Sequence, residues 1–143
     1  MNSIAPASRA DAHHVFALRV YYEDTDAAGI VYYANYLKFA ERARTEMLRA
    51  HGFDHTQLDT VAGLAFAVRS CRVDYLLPAR LDDALEVHTR ITRVGGATLE
   101  ADQDIRRDGT TVTRMRVRLA CINRRGRPAR LPPTLRAAFS FPS

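Results

Sequence analysis

Between residues 84 and 122 the chain carries two glycine turns, Gly95-Gly96 and Asp108-Gly109, each flanked by runs in which polar and apolar residues alternate. Period-two alternation closed by such turns builds antiparallel hairpins and is incompatible with a helix over the same residues. A further run at 65–76, closed by Pro78, brings the strand candidates to four (65–76, 84–94, 98–106 and 111–122), punctuated as an antiparallel meander. If Asp108, Gly109 and Thr110 form a three-residue loop, Glu100 faces Arg118, Asp102 faces Arg116 and Asp104 faces Arg114. One sheet face then carries rows of opposite charge, and Leu99, Ala101, Val117, Leu119 and Cys121 line the other.

Ahead of these strands the rhythm differs. Residues 15–22 alternate Val15, Ala17, Arg19 and Tyr21 against Phe16, Leu18, Val20 and Tyr22, which predicts a first strand. Over 31–50 the period becomes helical, with Tyr36, Phe39, Ala40, Ala43 and Met47 on one face, Lys38, Arg42, Thr45, Glu46 and Arg49 opposite, and a stop at Gly52 after His51. The spacings Arg42 to Glu46 and Glu41 to Arg44 suit local ion pairs. The element order predicts an α+β chain in which one long helix packs on the apolar face of an antiparallel sheet. From Arg124 onward Arg124, Arg125, Arg127, Arg130 and Arg136 are mixed with Pro128, Pro132 and Pro133, a composition expected of a solvated terminus or a phosphate-contacting edge.

Length and composition set the outer bounds. At 143 residues the chain fits one domain with a self-sufficient core, assigned to 15–143, and no apolar run is long enough to span a bilayer. Residues 1–14 contain Pro6, Arg9, Asp11, His13 and His14 and no apolar stretch of the secretory kind, so a disordered segment ahead of a cytoplasmic domain is expected. Cys71 and Cys121 lie inside strand-like runs and are expected to be inert core thiols. The net charge of +5 is carried by arginine, since Lys38 is the only lysine. Arginine suits an anionic ligand, but Arg114, Arg116 and Arg118 are matched by acids, and no nucleic-acid motif is present.

The chemistry is concentrated in residues 21–36, Tyr-Tyr-Glu-Asp-Thr-Asp-Ala-Ala-Gly-Ile-Val-Tyr-Tyr-Ala-Asn-Tyr, where a strand end runs through carboxylates and a glycine into the helix. The unpaired N–H groups of a helix's first turn favour nearby negative charge and receive a developing oxyanion. Asp and Gly also occur together in turns and helix caps for purely local reasons. Metal chemistry does not fit. A calcium loop starting at Asp24 would have Ala28 at its fifth position and Asn35 at its twelfth, and no histidine pair has zinc-ligand spacing.

The segments Val20-Tyr21-Tyr22-Glu23-Asp24-Thr25-Asp26, Gly29-Ile30-Val31-Tyr32, Glu41-Arg42-Ala43-Arg44-Thr45-Glu46-Met47-Leu48-Arg49 and Tyr75-Leu76-Leu77-Pro78-Ala79-Arg80-Leu81-Asp82-Asp83 resemble the 4-hydroxybenzoyl-CoA thioesterase branch of the hotdog-fold superfamily, in particular its Tol-Pal-associated, YbgC-like acyl-CoA thioesterases. The similarity covers roughly residues 15–123. It implies a hotdog fold, a curved five-stranded antiparallel sheet wrapped around one long central helix, and a homodimer or homotetramer with the site at a subunit interface. It implies an acyl-CoA thioester hydrolase with no cofactor and no metal, CoA being part of the substrate. Asp26 would be the nucleophile or general base, Gly29 the tight turn, and the backbone N–H of Tyr33 the oxyanion donor. Val31, Tyr32, Arg80, Arg124, Arg125 and Arg127 are candidate substrate contacts, the arginines for the CoA phosphates. Many YbgC-like members carry His at the Tyr33 position, so the donor the resemblance supports here is the backbone.

A thioester carbonyl is electrophilic and its thiolate leaves readily, so one carboxylate and oriented N–H donors suffice without a Ser-His-Asp triad. Glu23 and Asp24 are expected to shape the turn. A hydratase on the same fold would pair its Asp with a nearby His, and none follows Asp26 until His51. The alternative function is a non-catalytic module that binds acyl-CoA or acyl carrier protein in association with phospholipid synthesis; it would need the fold but not Asp26.

Overall fold

The computed structural model describes residues 13–139. The alternating runs form five strands, β1 (His13–Arg19), β2 (Ala65–Tyr75), β3 (Ala84–Val94), β4 (Thr98–Arg107) and β5 (Thr110–Ile122), in one antiparallel sheet of order β1-β3-β4-β5-β2. Only β3, β4 and β5 form a meander. The connection closed by Pro78 is not a hairpin: β2 pairs with β5, and both β1 and β2 are edges. The first strand starts two residues earlier than the alternation predicts, at His13, and ends at Arg19; the expectation of disorder over 1–14 otherwise lies outside the described residues.

The charge ladder has the expected register. Glu100, Asp102 and Asp104 face Arg118, Arg116 and Arg114, with Arg116 Nε donating to Asp102 Oδ1 at 3.0 Å. The turn itself is tighter than a three-residue loop. Arg107 pairs with Thr110, leaving Asp108 and Gly109 as a two-residue turn with φ of 50° and 80°, the left-handed pair that matches strand twist. A bulge at Val112 restores the register beyond Ile105, and its carbonyl accepts the N–H groups of Leu76 and Leu77 at 2.9 and 3.1 Å.

Helix α1 (Asn35–Ala50) buries Tyr36, Phe39, Ala40, Ala43 and Met47, the predicted stripe, and packs chiefly against β1 and β3. Its end is a Schellman motif: Gly52, at φ 88°, donates to Arg49 O at 3.0 Å, and Phe53 donates to Leu48 O at 2.8 Å. Its ion pairs differ from the spacing. Glu46 pairs with Arg49, and Arg44 turns to the sheet, where Nη1 donates to Gln103 Oε1 at 2.9 Å. Gln103 is fully buried, and its amide nitrogen donates to Ala40 O and Thr89 Oγ1, both at 3.0 Å.

The tail is exposed at Arg124–Pro128 and Arg130 but turns back onto the core beyond them. Pro133 opens helix α2 (Pro133–Phe139), whose Leu135 and Phe139 are buried together with Leu131, while Arg136 Nη1 donates to Gly95 O at 2.8 Å. Phe139 lies against His51 with centroids 4.7 Å apart, so the tail seals the sheet against the C-terminal end of α1.

Candidate active site

The start of α1 is held by a buried carboxylate. Residues Tyr22–Asp24 leave β1 in a 3-10 turn, and Asp24, 5% exposed, accepts the Tyr21 N–H on Oδ2 at 2.8 Å and the Asn35 amide on Oδ1 at 2.9 Å. Asn35 is the first residue of α1, so this acid ties the strand exit to the helix entry. Between them 25–31 close a small hairpin. Thr25 bridges Val31, Asp26 N–H donates to Ile30 O at 2.9 Å, and Gly29 N–H donates to Asp26 O at 3.0 Å. Gly29 takes φ 78°, the left-handed conformation required by a three-residue hairpin loop.

Asp26 therefore stands at an exposed hairpin mouth. Its Oδ1 accepts the Ala28 N–H at 2.8 Å, and Oδ2 has no hydrogen bond among the described residues. Across the hairpin, Tyr32 N–H donates to Asp24 O at 2.9 Å and Asn35 N–H to Tyr32 O at 2.8 Å, whereas the Tyr33 N–H makes no hydrogen bond among the described residues. Helix α1 begins later than the periodicity predicts, because Val31 is held extended by its bridge to Thr25 and its N–H bond to Ala79 O, next to the bridge between Ile30 and Arg80. Tyr33 consequently sits just ahead of the helix rather than in its first turn.

The strap that Ile30 and Val31 meet is the β2–β3 connection. Val31 N–H donates to Ala79 O at 2.8 Å, Ala79 N–H donates to Tyr36 Oη at 2.9 Å, and Arg80 bridges Ile30. Asp83 pins the strap by accepting Arg80 N–H at 2.8 Å and Arg107 Nη1 at 2.9 Å. Burial pushes the Asp83 carboxyl up, but these donors and the charges of Arg107 and Arg80 outweigh it and hold the group below its ordinary value. The Tyr33 ring meets Tyr75 of β2 edge to face at 6.1 Å, and Tyr75 lies 5.7 Å from Tyr36, an aromatic wall between the helix start and the edge strand.

The structure thus gathers Asp26, Gly29, Tyr32, Tyr33 and Arg80 around one hairpin and its strap. Val31 is 4% exposed and packs in the hydrophobic core. Arg124, Arg125 and Arg127 lie at the other end of β5: Ile122 pairs with Ala65, whereas Thr113, nearer the hairpin, pairs with Tyr75. Arg124 Nη2 donates to Asp59 O at 2.7 Å, and the Arg125 and Arg127 N–H groups cap Asn123 Oδ1 at 2.9 and 3.2 Å. Cys121 is buried as expected; Cys71 is exposed, because α1 leaves the inner side of β2 uncovered. His88 sits between Glu86 and His13 on the outer sheet face, away from the hairpin. The Asn35 clasp, the strap at Ala79 and the Tyr75 wall carry no local sequence signal, because each joins residues distant in the chain.

Residues 20–139 match the family model described as Thioesterase-like superfamily. The chain is 43% identical over 125 residues to the acyl-CoA thioesterase YbgC of Haemophilus influenzae, covering 87% of this chain and 92% of that one. It is 45% identical over 124 residues to the acyl-CoA thioester hydrolase YbgC of Escherichia coli O6:H1, covering 85% and 92%. A probable thioesterase from Bartonella henselae superposes with a TM-score of 0.82 at 43% identity, covering 85% of this chain and all of that one. With a five-stranded antiparallel sheet around one long helix and this match over most of its length, the chain belongs to the thioesterase-like, hotdog-fold superfamily.

Proposed function

We propose that this chain hydrolyses acyl-CoA thioesters, with Asp26 as the acting carboxylate and the Tyr33 N–H as oxyanion donor. The supporting observation is that an Asp26 carboxylate oxygen on the hairpin and the backbone N–H of Tyr33, two residues past its end, have no partners among the described residues. Two routes balance. Asp26 takes a proton from water as the water oxygen bonds to the thioester carbon, or a carboxylate oxygen bonds to that carbon itself and the mixed anhydride is hydrolysed afterwards. In both, the carbonyl π electrons move onto an oxygen held by the Tyr33 N–H and return as the C–S bond breaks and CoA thiolate leaves.

An acyl-CoA panel from short-chain through long-chain to aromatic, read by release of free thiol, tests this activity. Hydrolysis of at least one member is expected. Binding of acyl-CoA or acyl carrier protein without hydrolysis of any member would instead establish the non-catalytic module.

The working unit we propose is a dimer. The eleven-residue β2 has a strand on one side only, and its inward row includes Val68, 53% exposed, and Tyr75, 46% exposed. A bare edge of this length invites pairing, and a second copy would cover the row that α1 misses. Antiparallel pairing of two β2 strands sets the 65 end of one against the 75 end of the other. The partner's 123–127 turn then approaches Tyr75 and Tyr33, which gives Arg125 and Arg127 a role at the CoA phosphates across the interface. Light scattering is expected to give at least twice the chain mass, and a fully active monomer would refute the arrangement.

A further inference from the structure

Beside α1, on the inner side of β2, lies a cavity of about 370 Å³ lined by Glu41, Arg44, Thr45, Leu48, Phe66, Val68 and Leu119, and along β2 from Val68 follow Cys71 and Tyr75, the latter against the Tyr33 ring. Most of this lining is apolar. Glu41 and Arg44 are its two charged side chains, and the Arg44 guanidinium is half-buried with no carboxylate within ion-pair distance among the described residues. Its one hydrogen bond among the described residues, Nη1 to Gln103 Oε1 at 2.9 Å, leaves further N–H donors uncommitted. Gln103 cannot turn away, because its amide nitrogen is held by Ala40 O and Thr89 Oγ1 in a fully buried position. The arginine is thus oriented from behind. Burial opposes its charge, with Glu41 and Cys71 only partly restoring it.

We infer that the acyl chain runs from the Tyr33 and Tyr75 rings past Cys71 into this cavity and that Arg44 receives an oxygen at its far end, making ω-hydroxy or ω-carboxy acyl-CoA thioesters the favoured substrate class. The inference rests on the proposed thioesterase reading. Helical rise places Arg44 roughly 16 Å beyond Tyr33 along the helix. A long side chain leans back about one turn toward the helix start, which shortens the gap to roughly 11 Å. An extended chain advances about 3.6 Å per three bonds, so the matching acyl group spans about eight to nine bonds. A shorter chain would not reach the guanidinium, and a methyl end of that length would cover its donors without satisfying them.

The experiment measures kcat/KM for CoA thioesters of equal length ending in methyl, hydroxyl or carboxylate, from four to twelve carbons, on the wild type, Arg44→Met and Arg44→Lys. Wild type is expected to prefer one or both oxygen-ended chains over the methyl-ended chain by about 10- to 100-fold near eight carbons, the range of one hydrogen bond to a charged group. Arg44→Met should bring that ratio close to one, and Arg44→Lys should retain part of it. A purely structural Arg44 would lower all rates together and leave the ratio unchanged. Should Arg44→Met fail to fold, the wild-type ratio still decides. Hydrolysis with no preference for either oxygen-ended chain overturns the inference and leaves the thioesterase reading standing; no hydrolysis of any chain overturns the latter.

Discussion

Asp26→Asn is expected to lower turnover of every hydrolysed acyl-CoA by about 10²- to 10⁴-fold, the range for loss of a carboxylate acting as general base. Asparagine keeps the size of the side chain and the Oδ1 acceptor that receives the Ala28 N–H at 2.8 Å, so the hairpin should close as before. What it removes is the negative charge on the second oxygen, the one without a partner among the described residues. An exposed substitution of this kind moves stability by no more than about 0.5 kcal/mol, so thermal melting serves as the control. Tyr33→Phe should be far milder, since the proposed donor is the backbone and the ring-to-ring contact with Tyr75 survives. An Asp26→Asn protein that keeps wild-type kcat on the whole panel refutes the role assigned to this carboxylate. Loss of turnover together with a collapsed melting transition would do so too, because the effect would then be one of folding.

The parts of this molecule visible in its sequence are those governed by neighbours in the chain or across one turn. Opposite charges alternate along β4 and β5, so their register is recoverable even though the loop is tighter than expected: the two-residue Asp108-Gly109 turn shifts the pairing by one, and the Val112 bulge shifts it back. The buried stripe and Gly52 stop of α1 are equally local. The helix start is not, because Val31, Tyr32 and Tyr33 have apolar and aromatic side chains that continue the helical pattern, and only the bridge to Thr25 and the bond to Ala79 hold Val31 extended. Nothing in the order of strands tells β2 to cross to β5 instead of pairing with β3. From that misplacement follow the exposure of Cys71 and the cavity beside α1. Gln103 occupies an inward position where the pattern asks for an apolar side chain, and Arg44 reads as one of a row of helix charges. Each makes sense only once the other is opposite it.

Asp24 should behave as the reverse of Asp26, although the two stand only two residues apart. Asp24→Ala removes both acceptors of a buried clasp, leaving the Tyr21 N–H and the Asn35 amide without partners at the junction of β1 and α1. A buried donor stripped of its acceptor costs about 1–3 kcal/mol, so the pair is expected to cost about 2–4 kcal/mol. That is a large fraction of the 5–15 kcal/mol or so by which ordinary domains are stable. Since the cost comes from stranded donors and not from a lost acid, replacing Asn35 as well should return part of it: Asp24→Ala with Asn35→Leu is expected to be more stable than the sum of the two single variants by about 1 kcal/mol or more. Chemical denaturation of the four proteins closes the cycle. Additive losses would mean that the clasp is not a coupled unit, and a single Asp24→Ala variant as stable as wild type would mean that the hairpin carrying Asp26 is held by its backbone bonds alone.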